Sequence, residues 1–403
     1  MSDMKTRTQL ALASTFFAVL GHLYLTLHYY PLKFGFAAGQ SLCNINAKFD
    51  CDAVAASAYS ALLGIPLSVW GLVTNAVLFV MVLLSWLEWT ENPERLRRWT
   101  LALAGVSAGA SVVMALISFA LMQNYCLFCI GLYALSFLTF AALLGVPREP
   151  FWMHFRRDPP MLLKESRGIL FFLAVIPVGS YLVHQMFMQN LGDAQVARMI
   201  QESVADWQNS PKNEFVAKPT LATGAGTENA ALTITEFADF RCGHCKHASY
   251  TLEAFVKSHP DVRFEFYSFP LDGACNEGIQ SANGISCRLA AAVFCAEKEG
   301  KGWEAHHVIF EKQEEINRMS SVSEIDTVLA NSVSSLGLNW EALQSCMQEG
   351  ATTDALRAQA KQGLLVNVRG TPTIFANGRL LTRGQVLPVL QNVRQKALES
   401  KGK

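Results

Sequence analysis

The sequence predicts an all-α membrane helical bundle fused to a soluble α/β domain that carries a helical insertion. Three observations predict it. Long apolar runs crowd residues 8–189, residues 190–403 have an ordinary soluble composition, and ten cysteines are spread over both halves. At 403 residues the chain is long enough for more than one domain. Its 33 basic and 33 acidic residues balance, which gives no hint of a nucleic-acid partner.

Five apolar runs, near 8–30, 64–88, 99–122, 125–147 and 168–189, are each long enough to cross a bilayer, which takes about 20 helical residues. No small-residue cleavage site follows the first run, so it reads as a retained membrane helix rather than a removed signal peptide. Lys5 and Arg7 precede the first run. Arg95, Arg97 and Arg98 lie between the second and third, and Arg148, Arg156, Arg157, Lys164 and Arg167 between the fourth and fifth. The alternate loop, 31–63, has only Lys33 and Lys48. Positive charge stays on the cytoplasmic side, so the amino terminus is expected inside and the carboxy-terminal half outside. All ten cysteines then fall on the outer side, as an oxidising, periplasm-like space would favour.

Residues 190–230 read as an amphipathic stalk followed by a flexible linker, with Ser-Pro, Lys-Pro and the stretch ATGAGTENA. A strand-like segment, Thr233–Phe240, then runs into Cys-Gly-His-Cys at the start of a helical pattern. A helix amino terminus favours negative charge, so it suits a cysteine that must ionise. A second strand, VRFEFYSFP, follows. A mostly helical insertion spans about 280–362, and Asn377-Gly378 marks a hairpin after Gly-Thr-Pro-Thr. Zinc binding by Cys242 and Cys245 would need a second ligand pair, and none with that spacing appears; no metal is expected. Cys275 and Cys287 read as a structural disulfide closing a surface loop. Cys295 and Cys346 lie on helical patterns and either pair or are simply buried.

Cys-Gly-His-Cys after a strand, with a distant Gly-Thr-Pro-Thr before a hairpin, resembles a thioredoxin-fold disulfide oxidoreductase of the bacterial disulfide-oxidase type over about 231–398. The resemblance implies that Cys242 is the exposed attacking thiol and Cys245 the resolving one. It also implies a cis peptide bond at Thr371-Pro372 facing the pair.

The outer loop of the membrane half holds Cys43 and Cys51, then a short helix-like piece and Gly-Ile-Pro opening the second apolar helix; Cys126 and Cys129 begin the fourth. Together with Ser57, Gly64, Pro66, Gly71 and Tyr133, this resembles the vitamin K epoxide reductase family over about 8–147. The whole chain is similar to bacterial fusions of that family to a thioredoxin-like domain. The expected division is a four-helix membrane domain over 1–150, a fifth transmembrane helix and periplasmic linker over 151–230, and a thioredoxin-like domain over 231–403.

The family resemblance implies that Cys126 and Cys129 form the active pair beside a bound quinone of ubiquinone or menaquinone type, with Cys129 nearest the ring. It implies that Cys43 and Cys51 relay electrons from the partner domain. Tyr133 and Ser57 have two readings each: quinone contacts, or an interfacial aromatic and a small packing residue. Some relatives carry a quinone-contacting asparagine one residue after the position of Pro66. Here that residue is Leu67, and Asn75 is a candidate substitute. His22, His28 and His184 read as packing or headgroup contacts.

The function implied is disulfide-bond formation. The outer domain oxidises secreted or periplasmic proteins with reduced cysteines, and the membrane domain passes the electrons to the quinone pool of a bacterial inner membrane. The alternative is a reductase or isomerase with electrons flowing outward, against which no cytoplasmic thiol exists as a source. A non-enzymatic scaffold would leave three cysteine pairs unexplained.

Overall fold

The computed structural model describes residues 2–37, 39–45, 48–146, 167–188 and 193–401. Arg148, Arg156, Arg157 and Lys164, and the expected domain boundary at 150, lie outside the described residues. The chain divides into two compact units, Met1–Tyr30 with Ser41–Gln195, and Pro31–Gln40 with Val196–Lys403.

The first unit is helical. Its elements are α1 (Ser2–Phe34), α2 (Cys51–Ala56), α3 (Leu67–Leu87), α4 (Pro93–Leu121), α5 (Leu127–Leu143) and α6 (Arg167–Met188). Among the described residues, α1, α3 and α4 are long and apolar enough to cross a membrane, and the apolar stretches Leu127–Leu143 and Leu173–Met188 are shorter. Helix α4 starts where Asn92 accepts the Arg95 amide with Pro93 at the first position, so two local signals fix that end. Helix α3 begins a little later than its apolar run. Gly64 and Leu63, both with positive φ, turn the chain so that Ile65–Pro66 (β2) pairs with Ala61–Leu62 (β1). The core sets Val77, Leu78 and Met81 of α3 against Leu96 and Leu103 of α4 and Ala142 and Leu143 of α5. Val106, Leu116 and Phe119 of α4 point outward, so the bundle is apolar outside as well as inside, as contact with lipid requires.

The second unit starts with the amphipathic helix α7 (Asp193–Asn209) and builds a sheet from β3 (Leu221–Gly224), β4 (Leu232–Ala238), β5 (Val262–Ser268), β6 (Thr373–Ala376) and β7 (Arg379–Leu380), in the order β3-β5-β4-β6-β7. β4 and β5 are parallel and the other pairs antiparallel. The parallel crossover is α8 (Gly243–Ser258). The insertion is α9 (Ile285–Lys298), α10 (Gly302–Glu311), α11 (Gln313–Ile316), α12 (Val322–Ser335), α13 (Trp340–Gln348) and α14 (Gly350–Leu365); α15 (Leu387–Lys401) closes the chain. Disulfides join Cys275 to Cys287 and Cys295 to Cys346. Asn377 and Gly378 both have positive φ, the backbone that a two-residue hairpin needs.

The stretch expected as flexible linker is different. Leu221–Gly224 forms the edge strand of the sheet, and Trp207 Nε1 donates to the Ala376 carbonyl at 2.8 Å. The sequence hides this because the strand is short and ends in Gly224, at φ +85, where a Cβ would strike the Val262 carbonyl. Such a residue reads as a breaker although the fold needs it.

Candidate active site

The membrane unit brings its four cysteines together. Cys43, Cys51 and Cys126 are buried in one cluster with Leu25 and Phe128, and Cys129 packs against it. Disulfides join Cys43 to Cys51 and Cys126 to Cys129, and Cys51 Sγ lies 3.2 Å from Cys126 Sγ. The backbone explains the approach. Tyr125 N donates to Lys48 O and Asp50 N to Tyr125 O, so the loop runs as a short parallel bridge alongside the segment leading into Cys126. Cys126 is the cap of α5 rather than its first residue: its sulfur accepts the Cys129 amide at 3.1 Å, at a helix end that favours negative charge.

Buried polar contacts hold the loop in register. Asp52 accepts from Asn44 Nδ2 at 2.7 Å and from Ser41 N at 3.1 Å, and lies 2.6 Å from His28 Nε2; Asn44 Oδ1 accepts the Cys51 amide at 2.8 Å. Sequence reasoning missed Asn44 and Asp52, and read His28 as a packing or headgroup contact. An Asn and an Asp flanking a loop cysteine were the available signal. His184 is satisfied too, with Nδ1 2.7 Å from the Tyr30 hydroxyl.

Beside the four cysteines lies a cavity of about 370 Å³, walled by Cys51, Cys126, Cys129, Ser57, Tyr133 and His22 among others. Leu67 and Asn75 also line it, but Asn75 Nδ2 already donates to Gly71 O at 2.9 Å. The Ser57 hydroxyl is likewise committed, to the Val54 carbonyl at 2.7 Å. His22 differs from the packing role expected of it. Its buried Nδ1 has no hydrogen-bond partner among the described residues, and its ring lies where a Cβ on Gly71 would sit. A mainly apolar chamber with a few polar groups, two of them, His22 Nδ1 and Ser68 Oγ, without a hydrogen-bond partner among the described residues, fits a flat ring bearing carbonyl oxygens.

The second unit holds the other pair. Cys242 caps α8 and is half-buried, and Cys245 is fully buried one turn on; both are free thiols. Thr371-Pro372 is cis, and Cys242 Sγ donates to the Thr371 carbonyl at 3.2 Å. The hydrogen bond from Cys245 lowers the Cys242 thiol to about 6, against burial, with help from Thr371 and the amides of Cys245 and His244. Burial pushes Cys245 well up, and Glu236 adds to it. Glu236 is itself fully buried, neither carboxylate oxygen has a hydrogen-bond partner among the described residues, and burial raises it well above the usual carboxylate range. Gln313 donates to the carbonyls of Phe240 at 2.7 Å and Cys242 at 2.9 Å, fixing the motif's approach to the helix. Nothing in the sequence marked Glu236 or Gln313, because each acts from a distant position. Cys275 and Cys287 sit at their own disulfide, apart from this pair.

Residues 9–144 match the model of the vitamin K epoxide reductase family, and residues 233–400 match the DsbA-like thioredoxin domain. Among curated proteins, disulfide bond formation protein D of Bacillus subtilis is 22% identical over 182 residues, covering 44% of this chain and 77% of that protein. The Na(+)/H(+) antiporter NhaA 3 of Salinispora tropica is 23% identical over 154 residues, covering 38% of this chain and 21% of its own length. NhaA 1 of Mycolicibacterium vanbaalenii is 24% identical over 182 residues, covering 43% and 27%. The chain thus spans about a fifth to a quarter of the length of these antiporters. Among solved structures, oxidised BdbD from Bacillus subtilis has a TM-score of 0.38 at 20% identity, covering 47% of this chain and 97% of that one. A thioredoxin-like oxidoreductase from Silicibacter pomeroyi has 0.34 at 21%, covering 48% and 97%.

Proposed function

We propose that this chain, whose residues 9–144 match the vitamin K epoxide reductase family and whose residues 233–400 match the DsbA-like thioredoxin domain, makes disulfide bonds in secreted proteins and passes their electrons to a quinone. The observation that carries this reading is the 3.2 Å approach of Cys51 to Cys126, at the wall of a cavity that also holds Cys129 and Tyr133.

Electrons move by thiolate attack, one mixed disulfide at a time. A thiolate of a secreted or periplasmic protein attacks the Cys242–Cys245 disulfide at Cys242 and releases Cys245; Cys242, with its lowered pKa, is then the good leaving thiolate of the resolving step. The substrate's second thiol resolves the mixed disulfide, and the substrate departs oxidised. Cys242 then attacks Cys43, and Cys245 resolves that bond. The ionised form of Glu236, a buried carboxylate whose charge acts on Cys245, takes the Cys245 proton. Because Cys43 is buried, this step needs the loop to open.

Freed Cys51 attacks Cys126 and releases Cys129. Cys43 then attacks Cys51, restoring the loop disulfide and leaving Cys126 and Cys129 as a dithiol. Each exchange forms one S–S bond and breaks one, so the electron count is conserved. A quinone of ubiquinone or menaquinone type supplies the acceptor for that dithiol's two electrons and two protons. Tyr133 and His22, with Ser57 in the same cavity wall, would hold it there.

The proposed setting is a bacterial inner membrane, with the amino terminus cytoplasmic and the thioredoxin-like domain periplasmic. Arg95, Arg97 and Arg98, in the first turns of α4, support that orientation. The proposed division is 1–150, 151–230 and 231–403; the end of the second range supplies the edge strand Leu221–Gly224 of the third part's sheet. Tethering keeps the third part at a high local concentration, on the order of millimolar for a short linker.

The test is anaerobic rapid mixing of purified chain, a reduced substrate protein and a soluble quinone analogue. Stoichiometric quinol is expected. Cys129→Ala should abolish it while leaving exchange between Cys242 and substrate intact. Electrons running from quinol to substrate disulfides would overturn the direction.

A further inference from the structure

The sequence showed no metal-ligand spacing, but the fold assembles one ligand set that the redox route does not use. Glu253 of α8 faces His306 and His307 of α10, with one ligand atom from each within 4.8 Å of the others. His307 Nε2 lies 2.5 Å from Glu253 Oε2, and His306 Nδ1 lies 3.7 Å from Glu253 Oε1. His306 is completely buried among Phe240, Phe266, Trp303 and Phe310, whose rings lie 4.8–5.6 Å from its own. Neither of its ring nitrogens, nor Glu253 Oε1, has a hydrogen-bond partner among the described residues. His306 Nδ1 and Glu253 Oε1, buried and facing each other without a hydrogen bond, are costly unless something fills the gap between them.

We propose that Glu253, His306 and His307 hold a divalent cation of the zinc class between α8 and α10. Two imidazoles and a carboxylate are a donor set that suits zinc and leaves one position for water. At metal–ligand bonds of about 2.0–2.1 Å, tetrahedral ligand atoms lie about 3.4 Å apart. The gap between His306 Nδ1 and Glu253 Oε1 already has that size; that between His307 and Glu253 must widen by about 1 Å. His307 is the partly exposed side and gives access. Lys257 Nζ, 4.0 Å from Glu253 Oε2, is exposed enough to swing aside. The cation would clamp the helix that begins at Cys242 onto the insertion. This inference does not depend on the direction of electron flow.

The experiment uses the full chain in detergent, purified without a histidine tag, with all thiols oxidised and metal stripped by chelator. Cobalt(II) titration should give one equivalent with the visible bands of a four-coordinate N/O site, and zinc should displace it. Zinc should also raise the melting temperature. His307→Gln and Glu253→Gln, with folding checked by circular dichroism, should weaken uptake by about a hundredfold and remove the thermal shift. A cobalt-silent chain would show a plain buried ion pair and overturn the proposal. So would undiminished uptake by both folded variants, or a cobalt–thiolate charge-transfer band, since each places the metal elsewhere.

Discussion

Cys51 Sγ sits 3.2 Å from Cys126 Sγ although 75 residues separate them, and the two belong to different disulfides. A sulfur at that distance from a foreign disulfide is positioned to attack it. The first prediction therefore removes the competing partners. In the double variant Cys43→Ser, Cys129→Ser, mild oxidation should join Cys51 to Cys126, read as a cross-linked peptide by non-reducing mass spectrometry. Two free thiols after oxidation would rule out direct transfer between the pairs.

The second prediction concerns Cys242. Its thiol is lowered from 9.0 to about 6, with the Cys245 hydrogen bond as the leading cause. Alkylation of the reduced domain should be half-maximal near pH 6 rather than near 9. The sign for stability follows: a depressed pKa stabilises the folded dithiol form fully above pH 9, and that gain fades as pH falls through 6. The melting temperature of the reduced chain, compared with that of Cys242→Ser across this range, reads it directly.

Glu236 gives the third. Burial raises its carboxyl above 4.5, so the neutral form is favoured in the folded chain. The cost of ionising it is absent below pH 4.5 and grows as pH rises. Glu236→Leu should therefore stabilise the domain at pH 7 by about 2 kcal/mol. The same variant should slow resolution by Cys245 about tenfold, seen as accumulated mixed disulfide. A stabilised variant with unchanged resolution would remove Glu236 from the proton path.

The fourth separates the two readings of Tyr133. If it bonds a quinone oxygen, Tyr133→Phe should raise the KM for a quinone analogue about fivefold, the value of one hydrogen bond. His22→Phe should act in the same direction, and the two effects should combine less than additively if both hold one ligand. Binding of a fluorescent quinone analogue checks this without turnover. An interfacial aromatic would leave both measurements unchanged.

Much of this was legible in the sequence, and the reasons are local. Apolar runs long enough for a bilayer announce themselves, and Cys-x-x-C between a strand and a helix carries its own context. What stayed hidden was whatever depends on a distant partner. Asp52 and Asn44 fix the loop only because Tyr125 bridges it, and Glu236 matters only because β4 ends at the redox helix. His22 looked like packing because nothing in a sequence reveals an unsatisfied nitrogen. The strand at Leu221 was lost to its own glycine.

The bond between Cys295 and Cys346 spans 51 positions inside the insertion, and Cys275–Cys287 spans 12. On the proposed direction of electron flow, a newly translocated copy would arrive with these bridges unmade, and finished molecules would have to mature their successors.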